Sequence, residues 1–337
     1  MTNRLNFNLK IAATAVLASA VCCFASITQA QTAISKPVKI IVGFPPGGAA
    51  DSIARLLGNQ LSNAQGAAYA PTVIVDNKPG AGGRIAAQFV KAGEADGSQF
   101  LLTPASILTI YPSVYKKLGY DSLADFTPVT AVASVTFAFS VSSAVPANVK
   151  TVADYVAWAK ANPKEANYGS PAAGATPHFV GVMFGRAAGL PLNHIPYKGG
   201  APLVGDLLGG QVQAGVNVLP EVLPHHVAGK LRILAVSGTK RSQFLPNVPT
   251  FVESGFKDVA ATEAFSVFVP SKTPADVVAK LNTAIRNALK AKPLVEGLEK
   301  LSFEIEGTSS SDYTKTVKAE LERWAPVVKA SGFTADE

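Results

Sequence analysis

Gly47 and Gly48 stand where an apolar β-branched run, Ile40-Ile-Val42, passes through Phe44-Pro-Pro46 into an amphipathic segment. Beyond Asp51, residues Ala54, Leu57 and Leu61 recur at helical spacing. Amides at such a helix start have no intrahelical partner, and the helix dipole is positive there. Phe44, Pro46, Gly47, Gly48, Ala49 and Ala50 therefore form a candidate cradle for an oxyanion, suited to holding a ligand rather than transforming one. A Pro-Gly turn between strand and helix is also an ordinary connection. Asp51 reads as a helix cap or dipole partner, not an acid catalyst.

The other chemistry-bearing residues do not assemble into a reaction centre. The histidines are His178, His194, His225 and His226, and none has the HExxH spacing of a zinc site. His225-His226, followed by Ala228-Gly229-Lys230, reads as an exposed helix end. His178 falls near an apparent helix start after Thr176, where it could cap, pack or touch a ligand; capping or packing is expected. There is no Gly-x-Ser-x-Gly elbow and no assignable Ser-His-Asp set. Phe44–Gly48 lacks the Gly-Lys-Ser/Thr of a phosphate loop. Gly80-Ala-Gly-Gly83 lacks the full dinucleotide spacing and its acidic residue. Asp206 and Glu221 are scattered carboxylates without visible pairing. No enzyme activity, cofactor or metal is expected.

These residues need a scaffold, and the chain alternates strand and helix. Strands are expected at Val38–Val42, Thr72–Asp76 and Phe100–Thr103, with helices at Asp51–Leu61 and Ile85–Ala92 between them, a βαβαβ unit that favours a parallel sheet. A second group begins with a strand at Thr136–Val141. It continues with helix Val152–Ala161, N-capped by Thr151 and ended before Pro163. Strand 166–169, helix 178–188, strand 193–196, helix 201–208, strand 211–218 and strand 232–236 follow. Strand Phe265–Val269 and a helix-rich end close the chain, with Ala275, Val278, Leu281, Ile285 and Leu289 as a core-facing stripe. Two α/β domains joined by two crossings are expected: residues 31–133 with 258–337 as one lobe, and 134–257 as the other. Four Gly- or Ser/Thr-rich turns fall at strand ends, 44–51, 79–83, 103–109 and 170–177, where open α/β sheets place ligands.

Arg4 and Lys10 precede an apolar stretch, Ile11–Phe24, too short to span a bilayer and followed by small residues at Thr28 and Ala30. This reads as a secretory signal cut after Ala30. A lipoprotein reading at Cys22 is weaker, because Val21 is not small. Cleavage removes both cysteines, so the mature chain has no disulfide, thiol nucleophile or thiolate metal site. It also lowers the net charge of +7 by the two charges of Arg4 and Lys10. The remaining excess is dispersed, which suits attraction of small anions better than nucleic-acid binding. An exported periplasmic protein is expected, of a length that allows one large or two modest domains.

Further motifs appear in order along the chain: Val42-Gly-Phe-Pro-Pro-Gly-Gly-Ala-Ala-Asp51, Asn77-Lys-Pro-Gly-Ala-Gly-Gly83, Asp96-Gly97, Tyr115-Lys-Lys-Leu118, Asp125-Phe-Thr-Pro-Val129, Pro196-Tyr-Lys-Gly-Gly-Ala-Pro202, Leu207-Leu-Gly-Gly-Gln-Val212, Ala228-Gly-Lys-Leu231 and Trp324-Ala-Pro-Val-Val328. Over essentially the whole mature chain this resembles the Bug family of extracytoplasmic solute receptors, the binding proteins of tripartite tricarboxylate transporters. The resemblance implies an α/β, two-lobed type II periplasmic binding-protein fold that closes over one small carboxylate. It implies that the carboxylate is held by the loop Phe44–Ala50 with help from Gly82 and Gly83. The far lobe then contributes the turn carrying Ser170, Gly174, Ala175, Thr176 and His178, and the strand end at Asn217. A monomer that hands its ligand to the membrane subunits of such a transporter is expected. A sensory receptor, or less readily an exported hydrolase, is the alternative.

The chain departs from the family pattern where a ligand would be selected. Ala50 replaces a common Thr, Thr103-Pro-Ala-Ser106 leaves Ser106 as a donor in the third loop, and Asn217 stands where many relatives have Asp. Loss of that carboxylate argues for a ligand without a cation. A less polar acid is expected, an aromatic acid or a longer dicarboxylate, with Phe44 and Tyr197 in apolar contact.

Overall fold

The computed structural model describes residues 34–63 and 69–335. The expected signal and its cleavage point after Ala30 lie outside them. Strand β1 (Val38–Val42) is flanked by two parallel partners, β2 (Val73–Asn77) and β3 (Gln99–Pro104). A strand with neighbours on both edges and helices on both faces must be apolar nearly throughout, and only Lys39 of β1 is exposed. Ile40 and Val42 pack with Ile53, Ala54, Leu57 and Leu61 of helix α1 (Ala49–Asn63), whereas Ile41 packs with Ala86, Ala87 and Val90 of α2 (Arg84–Lys91). The period-2 alternation of the strand thus sends the two crossover helices to opposite faces. Two short helices, α3 (Ser106–Thr109) and α4 (Tyr111–Val114), follow β3.

Strand β4 (Phe126–Val141) begins at Phe126 rather than near Thr136. Its first part, Phe126 to Thr136, runs antiparallel to β9 (Thr262–Pro270), and its last part, Phe137 to Val141, pairs antiparallel with β7 (Ala214–Val218) and β8 (Arg232–Val236). One strand therefore serves two halves of the sheet, and the change of partners falls at the Thr136/Phe137 step. β5 (Asn167–Ser170) and β6 (Asn193–Pro196) complete the order β2-β1-β3-β9-β4-β7-β5-β6. The expected strand from Gln211 is shorter, starting at Ala214.

Four helices cover the second half: α5 (Val152–Ala161), α6 (Thr176–Ala188), α7 (Gly200–Leu208) and α8 (Leu219–Val227). Thr151 caps α5 in a capping box with Asp154. The core here is aromatic: Phe184 meets Phe139, Phe251 and Phe256 with ring centroids 5.1, 5.0 and 5.2 Å away. The chain ends with α9 (Ala275–Ala288), α10 (Lys292–Lys300), β10 (Glu304–Ile305) on β4, and α11 (Ser310–Ser331). Val278, Leu281, Ile285 and Leu289 are buried as expected, but Ala275, at the first turn of α9, is exposed.

Candidate functional site

The loop between β1 and α1 is held open by its own helix. Asp51, 2% exposed, accepts from the Gly47 N–H at 2.9 Å, from Arg55 Nε and Nη2 at 2.9 Å each, and from Asn77 Nδ2 at 3.0 Å. Asn77 Nδ2 also reaches the Phe44 carbonyl at 3.1 Å. Desolvation pushes the Asp51 carboxyl up, but the bonds from Arg55, Gly47 and Asn77 outweigh it and hold the group below its ordinary value. Asp51 is thus a loop clamp. Gly47 adopts φ 85°, which a side chain would strain. Behind this loop lies the Gly80–Gly83 turn, where Tyr111 Oη donates to the Gly82 carbonyl at 2.9 Å. Phe44 lies against Gly83, so close that a β-carbon there would stand 3.3 Å from its ring.

A recess of about 690 Å³, part of it open to solvent, lies in front of the loop. The first half lines it with Phe44, Pro45, Pro46, Gly48, Ala49 and Ala50, with Pro104 at the end of β3, with Ser106 and Ile107 of α3, and with Glu263 and Phe265 of β9. Phe137 of β4 adds a ring. The second half contributes Pro171, Ala172, Ala175 and Pro177 before and within α6, Gly199 to Pro202 at the start of α7, and Val218 with Glu221 at the start of α8. Helices α1, α6, α7 and α8 thus all present their N-terminal ends to one space, while no Lys, Arg or His side chain among the described residues lines it. Four helix dipoles supply a positive field without a point charge.

Two carboxyl groups sit in that field. Glu263, 4% exposed, accepts from the Ser106 N–H at 3.0 Å and from Thr176 Oγ1 at 2.6 Å, so it joins α3 of the first half to α6 of the second. Glu221 lies partly buried on α8, where its carboxyl accepts from Asn217 Nδ2 at 3.3 Å and lines the recess with Ala49, the first residue of α1. Desolvation raises each to about 7, with these hydrogen bonds opposing the rise.

Several expected contacts point elsewhere. Gly47 turns its N–H to Asp51, and Gly82 and Gly83 support the loop from behind. Ser170 is buried, with Oγ 2.7 Å from His194 Nε2 and 3.2 Å from the Ala172 carbonyl. Gly174, at φ 75°, donates its N–H to His178 Nδ1 at 3.0 Å. The His178 ring stacks on His194 at 3.9 Å and meets Phe333 edge-on at 4.4 Å. Burial lowers His178 to about 3 and His194 to about 4, so both are neutral braces of the 170–177 turn. Tyr197 does not line the recess: its hydroxyl donates to Asp206 Oδ2 at 2.7 Å, and its ring packs with Leu203, Leu207 and Val212. Thr176 and Asn217 stand behind Glu263 and Glu221. Because Glu221 returns a carboxyl to the corner at Asn217, the absence of Asp at 217 does not leave that corner free of acidic groups.

Sequence reading passed over Glu221, Glu263, Phe137, Phe265, Pro104 and the α7 start. The last carried a signal, since Gly199-Gly200 precedes a helix as Gly47-Gly48 does. Glu221 carried one too, four residues after Asn217 and in the first turn after Pro220. Glu263 has none, because its partners are 157 and 87 residues away.

Residues 53–333 match the family described as "Tripartite tricarboxylate transporter family receptor". Over 314 residues the chain is 34% identical to Protein BugT of Bordetella pertussis, covering 91% of this chain and 93% of that one. A solved structure described as R. palustris Rpa4515 with adipate is 35% identical, with a TM-score of 0.83 over 88% of this chain and 98% of that one. The periplasmic binding protein BugD is 32% identical, with a TM-score of 0.81 over 89% and 99%. The α/β fold with a recess between the halves of its sheet is the fold of these receptors, and the chain belongs to the tripartite tricarboxylate transporter receptor family, as a Bug-type solute-binding protein and not an enzyme.

Proposed function

We propose that this protein is a periplasmic receptor that captures a small, largely apolar carboxylate between two closing lobes and delivers it to the membrane subunits of a tripartite transporter. The observation that carries the reading is the convergence of four helix N-termini on an apolar recess that no basic side chain lines among the described residues. Such a site attracts an anion by backbone amides and dipoles, and grips the rest of the ligand by dispersion and burial. Phe44, Phe137, Phe265 and the prolines around them favour an aromatic acid or a dicarboxylate with a methylene body over a hydroxyl-rich one. A relative with adipate in its structure supports the same ligand size.

In this reading the halves are lobes that meet at the Thr136/Phe137 step of β4 and at the return before β9, with boundaries near residues 133 and 258. A ligand touching Gly48 and Ala49 on one side and the α7 start on the other binds the closed state more tightly than the open one, and so shifts the population toward it. The mature chain, residues 31–337, is the protein to test by thermal shift against mono-, di-, tri- and aromatic carboxylates and amino acids. A ligand at about 100 times its dissociation constant adds about 2.7 kcal/mol. The expected result is a shift confined to dicarboxylates or aromatic acids; stabilisation by citrate alone would refute the choice of ligand, and silence throughout would refute the carboxylate reading. Co-purification of membrane subunits with the ligand-loaded protein tests delivery.

A further inference from the structure

We propose that Glu221 is a proton-dependent gate on the anion anchor: as a carboxylate it occupies the N-terminal end of α1, and as a carboxylic acid it yields that end to the ligand and donates a hydrogen bond, so that a carboxylate ligand binds together with one proton. This rests on the receptor reading above.

Three observations place the group. First, Glu221 and Ala49, part of the helix start read as the anion anchor, line the same recess, and the Ala49 backbone is among the influences that hold back the rise of the Glu221 carboxyl. A protein carboxylate there is an internal competitor for a ligand carboxylate. Second, the space is kept for it: a β-carbon at Gly200 would collide with Glu221 Oε2. Third, its side-chain partner suits both protonation states. Asn217 is fully buried, its Nδ2 donates to Glu221 at 3.3 Å, and its Oδ1 has no hydrogen-bond partner. An amide can donate to a carboxylate or, turned over, accept from a carboxylic acid, whereas an aspartate at 217 could not donate to a carboxylate.

The recess also requires neutralisation. With no basic side chain among the described residues of its lining, a ligand carboxylate beside an ionised Glu221 would leave two like charges in a desolvated space. The free group is already raised to about 7 by burial, and a bound anion raises it further. The proton comes from solvent. The charged and titratable groups on the surrounding elements are engaged elsewhere. On α1, Asp51 is paired with Arg55. On α7, Asp206 accepts from Tyr197. Arg232 on β8 donates to the carbonyls of Val145, Pro146 and Val149. On α8 itself, His226 accepts from the Ile233 N–H and His225 lies in the last turn. Glu263 also lines the recess and is the other candidate, but the Ser106 N–H and Thr176 hydroxyl hold it in the joint between the halves.

The test is calorimetry of adipate and benzoate with the wild type, Glu221→Gln and Glu263→Gln from pH 5.5 to 8.5, in buffers of different ionisation enthalpy. For the wild type the expected result is uptake of close to one proton per ligand at pH 8, and affinity that falls by up to tenfold per pH unit above 7. Glu221→Gln should lose both the uptake and the pH dependence and bind more tightly than the wild type at pH 8. Glu263→Gln should keep the wild-type dependence. The inference is overturned by wild-type affinity that is flat or rises with pH, by proton uptake that survives in Glu221→Gln, or by its loss in Glu263→Gln instead. Absence of binding of either acid by all three proteins at every pH refutes the receptor reading for these ligands and the gate with it, a failure distinct from binding without proton uptake.

Discussion

Replacing Glu263 by glutamine should change the pH dependence of stability in one defined window. The group is 4% exposed and its carboxyl is raised from 4.5 to about 7, chiefly by desolvation. A native state that binds this proton more tightly than the unfolded chain gains its full benefit below pH 4.5 and loses it as pH rises to about 7. At about 1.36 kcal/mol per tenfold change in proton affinity, the loss is roughly 3 kcal/mol. Glutamine has nearly the same shape and cannot ionise. Its carbonyl can keep the Ser106 N–H and its amide can donate to the Thr176 hydroxyl, so the joint between the halves survives.

The wild-type profile alone would conceal this. His178 and His194 are lowered from 6.5 to about 3 and about 4. Their unfolded forms take up protons first, so they remove stability as pH falls below 6.5, opposing the glutamates in the same range. The clean quantity is the difference between Glu263→Gln and the wild type. Urea unfolding at fixed pH values from 4.5 to 8.5 should show that difference moving by roughly 3 kcal/mol in favour of the variant up to pH 7, and no further above it. Two parallel profiles would refute the assignment of a buried, proton-retaining carboxyl at 263.

Gly48→Val tests the anchor: a β-carbon there meets only the Pro45 carbonyl at 3.6 Å, so the fold should tolerate it. Affinity for the ligand found by screening should nonetheless fall by tenfold or more, and unchanged affinity would remove this loop as the anchor. Phe184→Ala should cost about 3 to 5 kcal/mol in urea unfolding, since the ring sits among Phe139, Phe251 and Phe256. His178→Ala should cost about 1 to 3 kcal/mol at pH 7 by leaving the Gly174 N–H without its acceptor. The cost should shrink toward pH 4, because the variant no longer carries a histidine that resists protonation; a pH-independent cost would contradict the neutral-brace role.

The parts of this molecule legible in its sequence are those fixed by neighbours along the chain. The β1–α1 hinge announces itself because the hydrophobic period changes across Pro45 to Gly48, and the α5 cap because Thr151 and Asp154 are three residues apart. β4 was hidden for a physical reason. It is buried on both faces, so no alternation marks its first part, and Pro128 reads as a breaker. The strand carries that proline where its register with β9 shifts between Pro128 and Thr130, the kind of irregularity at which a missing donor is tolerated. The recess divides in the same way. Its backbone half, Gly48 to Ala50, follows from local spacing, while His178, Ser170 and Tyr197 carry ligand-like chemistry but are taken up by His194, the Ala172 carbonyl and Asp206. Glu263 looks like an isolated charge in an apolar strand until the fold brings Ser106 and Thr176 to it. Raised proton affinity is a property of enclosure, and enclosure is made by contacts far apart in the chain. A buried, proton-retaining carboxyl can therefore be invisible in a sequence whose glycine turn at a helix start is plain.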